Sequence, residues 1–143
     1  MLLRRMRLLL LLTAALLWAS CGSGDSTVGP DGSEGAVQLT EATLAQVSEV
    51  FAVSCAFSGC HSGADPAADL SLEGDFAARI VGVDSGQRPD FKLVDPGNPD
   101  KSYLLIKVRG DDEIISQQMP PGNPLTAEQV EIIRAWIASG AKE

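Results

Sequence analysis

The stretch Cys55-Ala56-Phe57-Ser58-Gly59-Cys60-His61 decides how the rest of the chain is read. A cysteine pair with histidine directly after the second cysteine is the arrangement that attaches haem covalently. The order has a chemical reason. Two thiols add to two vinyl groups on one edge of a porphyrin, and the next residue then sets an imidazole nitrogen under the iron on the same face. The spacer holds four residues where two are usual, so two must bulge outward. Ser58-Gly59 supplies the backbone freedom for that.

Three other readings of these residues stand beside it. One is a Cys55–Cys60 disulfide formed in an oxidising compartment. Another is a zinc site, although only three ligands are present and adjacent Cys and His close a tetrahedron awkwardly. The third is a pair of inert thiols with a surface histidine. Three Cys and one His in 143 residues exclude by count a four-Cys zinc site, a Cys2His2 finger, a multi-His metal site and a bis-His haem within one chain. The candidates for a second axial ligand are then Met, Tyr, Lys, water or nothing. Met119, in Ser116-Gln117-Gln118-Met119-Pro120-Pro121, is the candidate, because Met1 and Met6 belong to an N-terminal segment expected to be removed. The two prolines stiffen the chain after it. The competing role for Met119 is to plug a gap in the core.

Upstream, Arg4, Arg5 and Arg7 precede eleven almost unbroken apolar residues, Leu8 to Trp18. This is the pattern of a signal peptide over residues 1–20, too short for a comfortable membrane span. Leu17-Trp18-Ala19-Ser20-Cys21 resembles a bacterial lipobox, which implies cleavage before Cys21 and a diacylglycerol on its sulfur. Residues 22–37 hold five Gly with Ser, Asp and Glu. Together with Cys21 they read as a lipidated, flexible tether. Losing the three arginines takes the net charge from −8 to −11. Such acidity argues against nucleic-acid binding. It favours a redox partner that presents a basic patch.

Residues 38–143 form the domain. Thr40 is the expected N-cap of a helix carrying Leu44, Val47, Val50 and Phe51 and ending near Ser54. A loop over 55–66 follows, then a short helix with Phe76, Ala77 and Ile80 that stops at Gly82. Phe91 to Val94 reads as extended, and 95–99 as a turn. Asp100 is the expected cap of a helix over Tyr103 to Val108 ending at Gly110. After a long loop, Thr126 and Gln129 form a capping box for a helix with Ile133, Trp136 and Ile137. The fold is therefore mostly α, with long loops. Aromatics are only 5% of the chain, which predicts a small aliphatic core. Trp136 is assigned to helix packing, and Tyr103 either to packing or to the haem pocket. The cations Arg79, Arg88, Lys92, Lys101, Lys107 and Arg109 are all candidates to meet haem propionates.

With these motifs together, residues 39–142 resemble small bacterial class I c-type cytochromes of the secreted or lipoprotein form. The resemblance rests on Val50-Phe51, Gly59-Cys60-His61-Ser62-Gly63, Pro96-Gly97-Asn98-Pro99 with Ser102-Tyr103-Leu104, Met119-Pro120, and Trp136-Ile137 with Gly140-Ala141. It implies a class I cytochrome c-like helical fold around one haem, with the first and last helices packed beside it. It also implies one covalent haem c with His61 and Met119 as axial ligands, and single-electron transfer rather than catalysis. The expected setting is the bacterial cell envelope, lipid-anchored on the periplasmic or outer-membrane face. The alternatives are a haem enzyme or a gas- or peroxide-responsive protein with a labile Met119, and a cofactor-free lipoprotein with a Cys55–Cys60 disulfide.

Overall fold

The computed structural model describes residues 38–143. The expected signal segment, Cys21 and the tether lie outside the described residues. Helix α1, Leu44–Ser54, begins at Thr43 rather than at Thr40. Gln46 stands three residues after Thr43, and its amide side chain accepts from the Thr43 N–H at 2.8 Å while the Thr43 hydroxyl accepts from the Gln46 N–H. From Thr40 the third residue on is another threonine, which is not the Glu or Gln that closes a capping box. The buried positions Val47, Val50 and Phe51 share one face of α1.

Helix α2 is the single turn Ala77–Ile80, with Gly82 beyond it. Helix α3, Tyr103–Arg109, starts from Ser102. Asp100, the expected cap, instead lies in a one-turn 3-10 helix, Pro99–Lys101, and pairs with Arg109. Nor does the Ser102 hydroxyl cap α3. It is completely buried, accepts from the Asp95 N–H at 2.9 Å and donates to the Asn98 carbonyl at 3.0 Å, so it braces the 95–98 turn. Helix α4, Ala127–Ala138, opens with the Thr126–Gln129 capping box read from the sequence. Isolated bridges such as Val81 to Val94 and Lys92 to Ser102 hold the extended 91–94 segment in place.

Helix α4 packs against both α1 and α3. The core is largely aliphatic, as expected, but three aromatic rings join it. Phe51, Phe76 and Trp136 form an edge-to-face chain at its centre, with ring centroids 4.9 and 6.3 Å apart. Leu105, Ile80, Ile133, Ile137 and Val47 are fully buried in the same core. Each aromatic pair adds about 0.5–1.5 kcal/mol beyond its buried area, so three well-placed rings count for more than their scarcity implies. Trp136 is helix-packing core, as its position predicts, and its indole N–H donates to the Lys142 carbonyl at 2.9 Å.

Hydrogen bonds from an ion pair within α4 join that helix to Leu39 at the start of the domain. The Glu131 carboxylate accepts from the Leu39 N–H at 2.8 Å and pairs with Arg134 at 2.7 Å, while Arg134 donates to the Leu39 carbonyl. Arg134 holds the Glu131 carboxyl below its usual range against the opposing effect of burial, with help from the Leu39 amide. A carboxylate whose folded pKa is depressed stabilises above its unfolded pKa and loses that contribution as pH falls through the folded value. Glu131→Gln is therefore expected to cost about 1.5–3 kcal/mol at neutral pH. In denaturant titrations the gap to wild type should close below the ordinary glutamate range. A pH-independent gap would remove the charge from the explanation.

Candidate haem-binding site

The end of α1 shapes one wall. The Cys60 N–H donates to the Phe57 carbonyl at 2.9 Å, and Gly59 between them has φ +80°. This is the third position of a turn that demands positive φ. The His61 N–H donates to the Cys55 carbonyl at 3.1 Å. The four-residue spacer is thus a turn closed at its base, with Phe57 about half exposed. The chain after it is also pinned, by Ala67 N–H to Cys60 carbonyl at 2.7 Å and Leu72 N–H to His61 carbonyl at 2.8 Å.

His61 Nδ1 lies 3.0 Å from the Leu70 carbonyl oxygen. A carbonyl only accepts, so Nδ1 carries the proton and the Nε2 lone pair is free for a metal. Such a partner fixes both the tautomer and the orientation of the ring. The Leu70 carbonyl reaches this place through a tight turn in which Ala68 and Asp69 both take left-handed conformations, at φ 57° and 54°. Each costs roughly 1–2 kcal/mol for a non-glycine residue, and strain of this kind collects at functional sites. Nothing in Ala67-Ala68-Asp69-Leu70 signals this from sequence, because the turn contains no glycine.

Helix α3 positions Met119 on the chain of the second long loop. Its final carbonyls have no partners within the helix. The Met119 N–H donates to the Lys107 carbonyl at 3.1 Å, and the Gln118 side-chain amide donates to the Val108 carbonyl at 2.8 Å. Gly110 ends α3 in the left-handed conformation, and a Cβ there would meet the Gln118 side chain at 2.8 Å. The loop is therefore latched to the helix terminus directly before Met119.

These walls enclose a cavity of about 660 Å³ lined by Cys55, Cys60, His61 and Met119 together. Phe51, Leu72, Leu93, Leu104 and Val108 give it an apolar surface. The volume is that of a cofactor pocket. Cys55 is a buried free thiol and Cys60 an exposed one. Burial pushes the Cys55 thiol up to about 11, and the neighbouring Cys60 adds to the effect. Cys55 therefore stays a thiol at neutral pH and is a poor ligand for a bare metal ion. Two thiols, an imidazole with a free Nε2, a thioether and apolar walls are a donor set that fits a covalently held tetrapyrrole.

A family model described as Planctomycete cytochrome C matches residues 58–123. Over those residues the chain is similar to a cytochrome c domain. The matched stretch is just under half of the chain and contains Cys60, His61 and Met119, while Cys55 lies shortly before it. Cytochrome c domains carry covalently bound haem, in agreement with the donor set of the cavity. No curated protein and no solved structure matched the chain. Tyr103 both lines the cavity and is buried in packing, with its ring 6.2 Å from that of Phe91.

Proposed function

We propose that this protein is a monohaem c-type cytochrome that carries single electrons outside the cytoplasm, held at a membrane by a lipid on Cys21. The observation that carries the reading is the convergence of Cys55, Cys60, His61 and Met119 on one apolar cavity, with His61 already in the tautomer that metal binding requires. Bound there, haem supplies a one-electron iron couple. Cys55 and Cys60 would hold such a group through thioether links, and His61 and Met119 would offer the iron an imidazole and a thioether donor. The Leu70 carbonyl keeps the imidazole oriented, and the α3 terminus keeps Met119 in place. Apolar side chains exclude water and lower the dielectric around the iron, which is a lever on its potential. Because His61 and Met119 would each offer the iron a protein donor, the site would leave little room for a substrate at the metal, which supports a carrier over an enzyme.

The acidic charge of the chain supports a partner with a basic patch, since charge steering speeds short-lived redox encounters across small interfaces. The test of the reading is covalent attachment. Full-length protein from a host with c-type maturation should keep its haem through denaturing electrophoresis. The Cys55→Ala, Cys60→Ala double variant should lose it entirely. Haem that extracts from the wild type into acidified organic solvent would overturn the proposal.

A further inference from the structure

The cations read from the sequence as equivalent are not equivalent in the fold. Arg88 pairs with Asp90, Lys92 with Asp84, and Arg109 with Asp111 and Asp100. Lys101 is exposed beside the Phe91 ring. Arg79 reaches the cavity but is exposed and donates to the Ser71 and Glu73 carbonyls. Lys107 is different. It lines the cavity, is only 8% exposed, and has no carboxylate within ion-pair distance among the described residues.

The Lys107 ammonium is held by neutral groups. It donates to the Gln87 side-chain carbonyl at 3.1 Å and to the Ile115 backbone carbonyl. The Tyr103 hydroxyl donates to the same Gln87 oxygen at 3.2 Å and accepts from the Ile115 N–H at 2.9 Å. Gln87 and Tyr103 also line the cavity. An ammonium has three N–H donors, and protein oxygens take two of them here. Burying an ammonium costs several kcal/mol unless a counter-charge and hydrogen bonds compensate it. Burial alone already holds Lys107 below the ordinary lysine range.

Asp69 and Asp84 also line the cavity, but neither lies within ion-pair distance of Lys107, and Asp84 pairs with Lys92. A buried cation braced by neutral groups and left without a carboxylate of its own at such a cavity is a seat for a ligand carboxylate. We infer that Lys107, positioned by Gln87 and Tyr103, is the counter-ion for a propionate of the haem. This rests on the haem reading above and adds the residue that receives the negative edge of the cofactor. It also makes Lys107 a determinant of the potential, because a nearby positive charge disfavours ferric iron relative to ferrous.

The experiment uses full-length holoprotein with haem labelled with ¹³C at its propionate carboxyl carbons. Redox-difference infrared spectra and potentials are compared for wild type, Lys107→Met, Lys107→Arg and Lys101→Met. In Lys107→Met the labelled carboxylate bands should shift, and the oxidised-to-reduced ratio at fixed poise should rise about tenfold, equal to 59 mV for a one-electron couple. Lys107→Arg should stay close to wild type in both readouts, as should Lys101→Met, which alters an exposed cation. If Lys107→Met takes up no haem, Lys107→Gln replaces it in the comparison. Labelled bands and potential unchanged in the neutral variants would overturn the inference, as would a Lys107→Arg that behaves like them. A wild type without haem would instead overturn the proposed function.

Discussion

Made in a cytoplasm without haem attachment, the protein is expected to show no cooperative thermal transition, whereas the holoprotein shows a sharp one. The reason is the size of the cavity relative to the core around it. A void in an apolar core costs about 24 cal/mol per Å³. Applied to 660 Å³ this gives a ceiling of about 16 kcal/mol. The cavity is open to water and partly polar, so the real cost is smaller, but a third of the ceiling is still about 5 kcal/mol. That matches the lower end of the entire stability of a small domain. Phe76 and Trp136 do not line the cavity, so their contact and the α1–α4 packing are expected to retain some helix in the haem-free chain. The strained 67–70 turn and the Met119 loop have less to hold them. Circular dichroism melts and calorimetry on both forms provide the check. A haem-free transition with the same midpoint and enthalpy as the holoprotein would contradict the expectation.

The second large effect is expected from Gly110→Ala, a substitution of one methyl group at a residue that does not line the cavity. Gly110 has φ +77°, and its missing Cβ is what admits the Gln118 side chain. Alanine in the left-handed region costs roughly 1–2 kcal/mol. Its Cβ also forces Gln118 off the Val108 carbonyl, and leaving a buried acceptor unpaired costs about 1–3 kcal/mol. The sum is about 2–5 kcal/mol, read as a lower midpoint in denaturant. The functional consequence is more specific. Gln118 immediately precedes Met119, so the latch that positions the thioether loosens, and the weak near-infrared sulfur-to-iron band of the ferric protein should fade. Gln118→Ala removes the clash along with the hydrogen bond, so the two substitutions should combine to less than their sum. An undiminished near-infrared band in Gly110→Ala would separate Met119 from the latch.

Legibility of the fold followed the range of the interactions involved. The Thr126–Gln129 box, the stop at Gly110 and the Gly82 terminus depend on residues within a few positions of each other, and all three are where the sequence places them. The caps of α1 and α3 were missed for different reasons. Thr40 and Thr43 are the same residue type, and only the reciprocal bond from Gln46 distinguishes them. Asp100 is a good local cap, but Arg109 and a proline-initiated 3-10 turn occupy it otherwise. The short spacing from Cys55 to His61 made the attachment motif legible. The ring partner of His61 was not, since a backbone carbonyl carries no side-chain signal.

The sequence by itself determined the chemistry on offer: two thiols and an imidazole in one short run, one downstream methionine, helical periodicity at both ends of the domain and a net acidic charge. These are matters of composition and local spacing. Tertiary structure alone decided which of these groups meet. It brought Met119 to the cavity by capping the end of α3, turned His61 by way of the Leu70 carbonyl, and buried Lys107 among six candidate cations. The physical reason is desolvation. In an unfolded chain every lysine and arginine is hydrated alike, and only packing removes water from one of them and withholds a carboxylate partner.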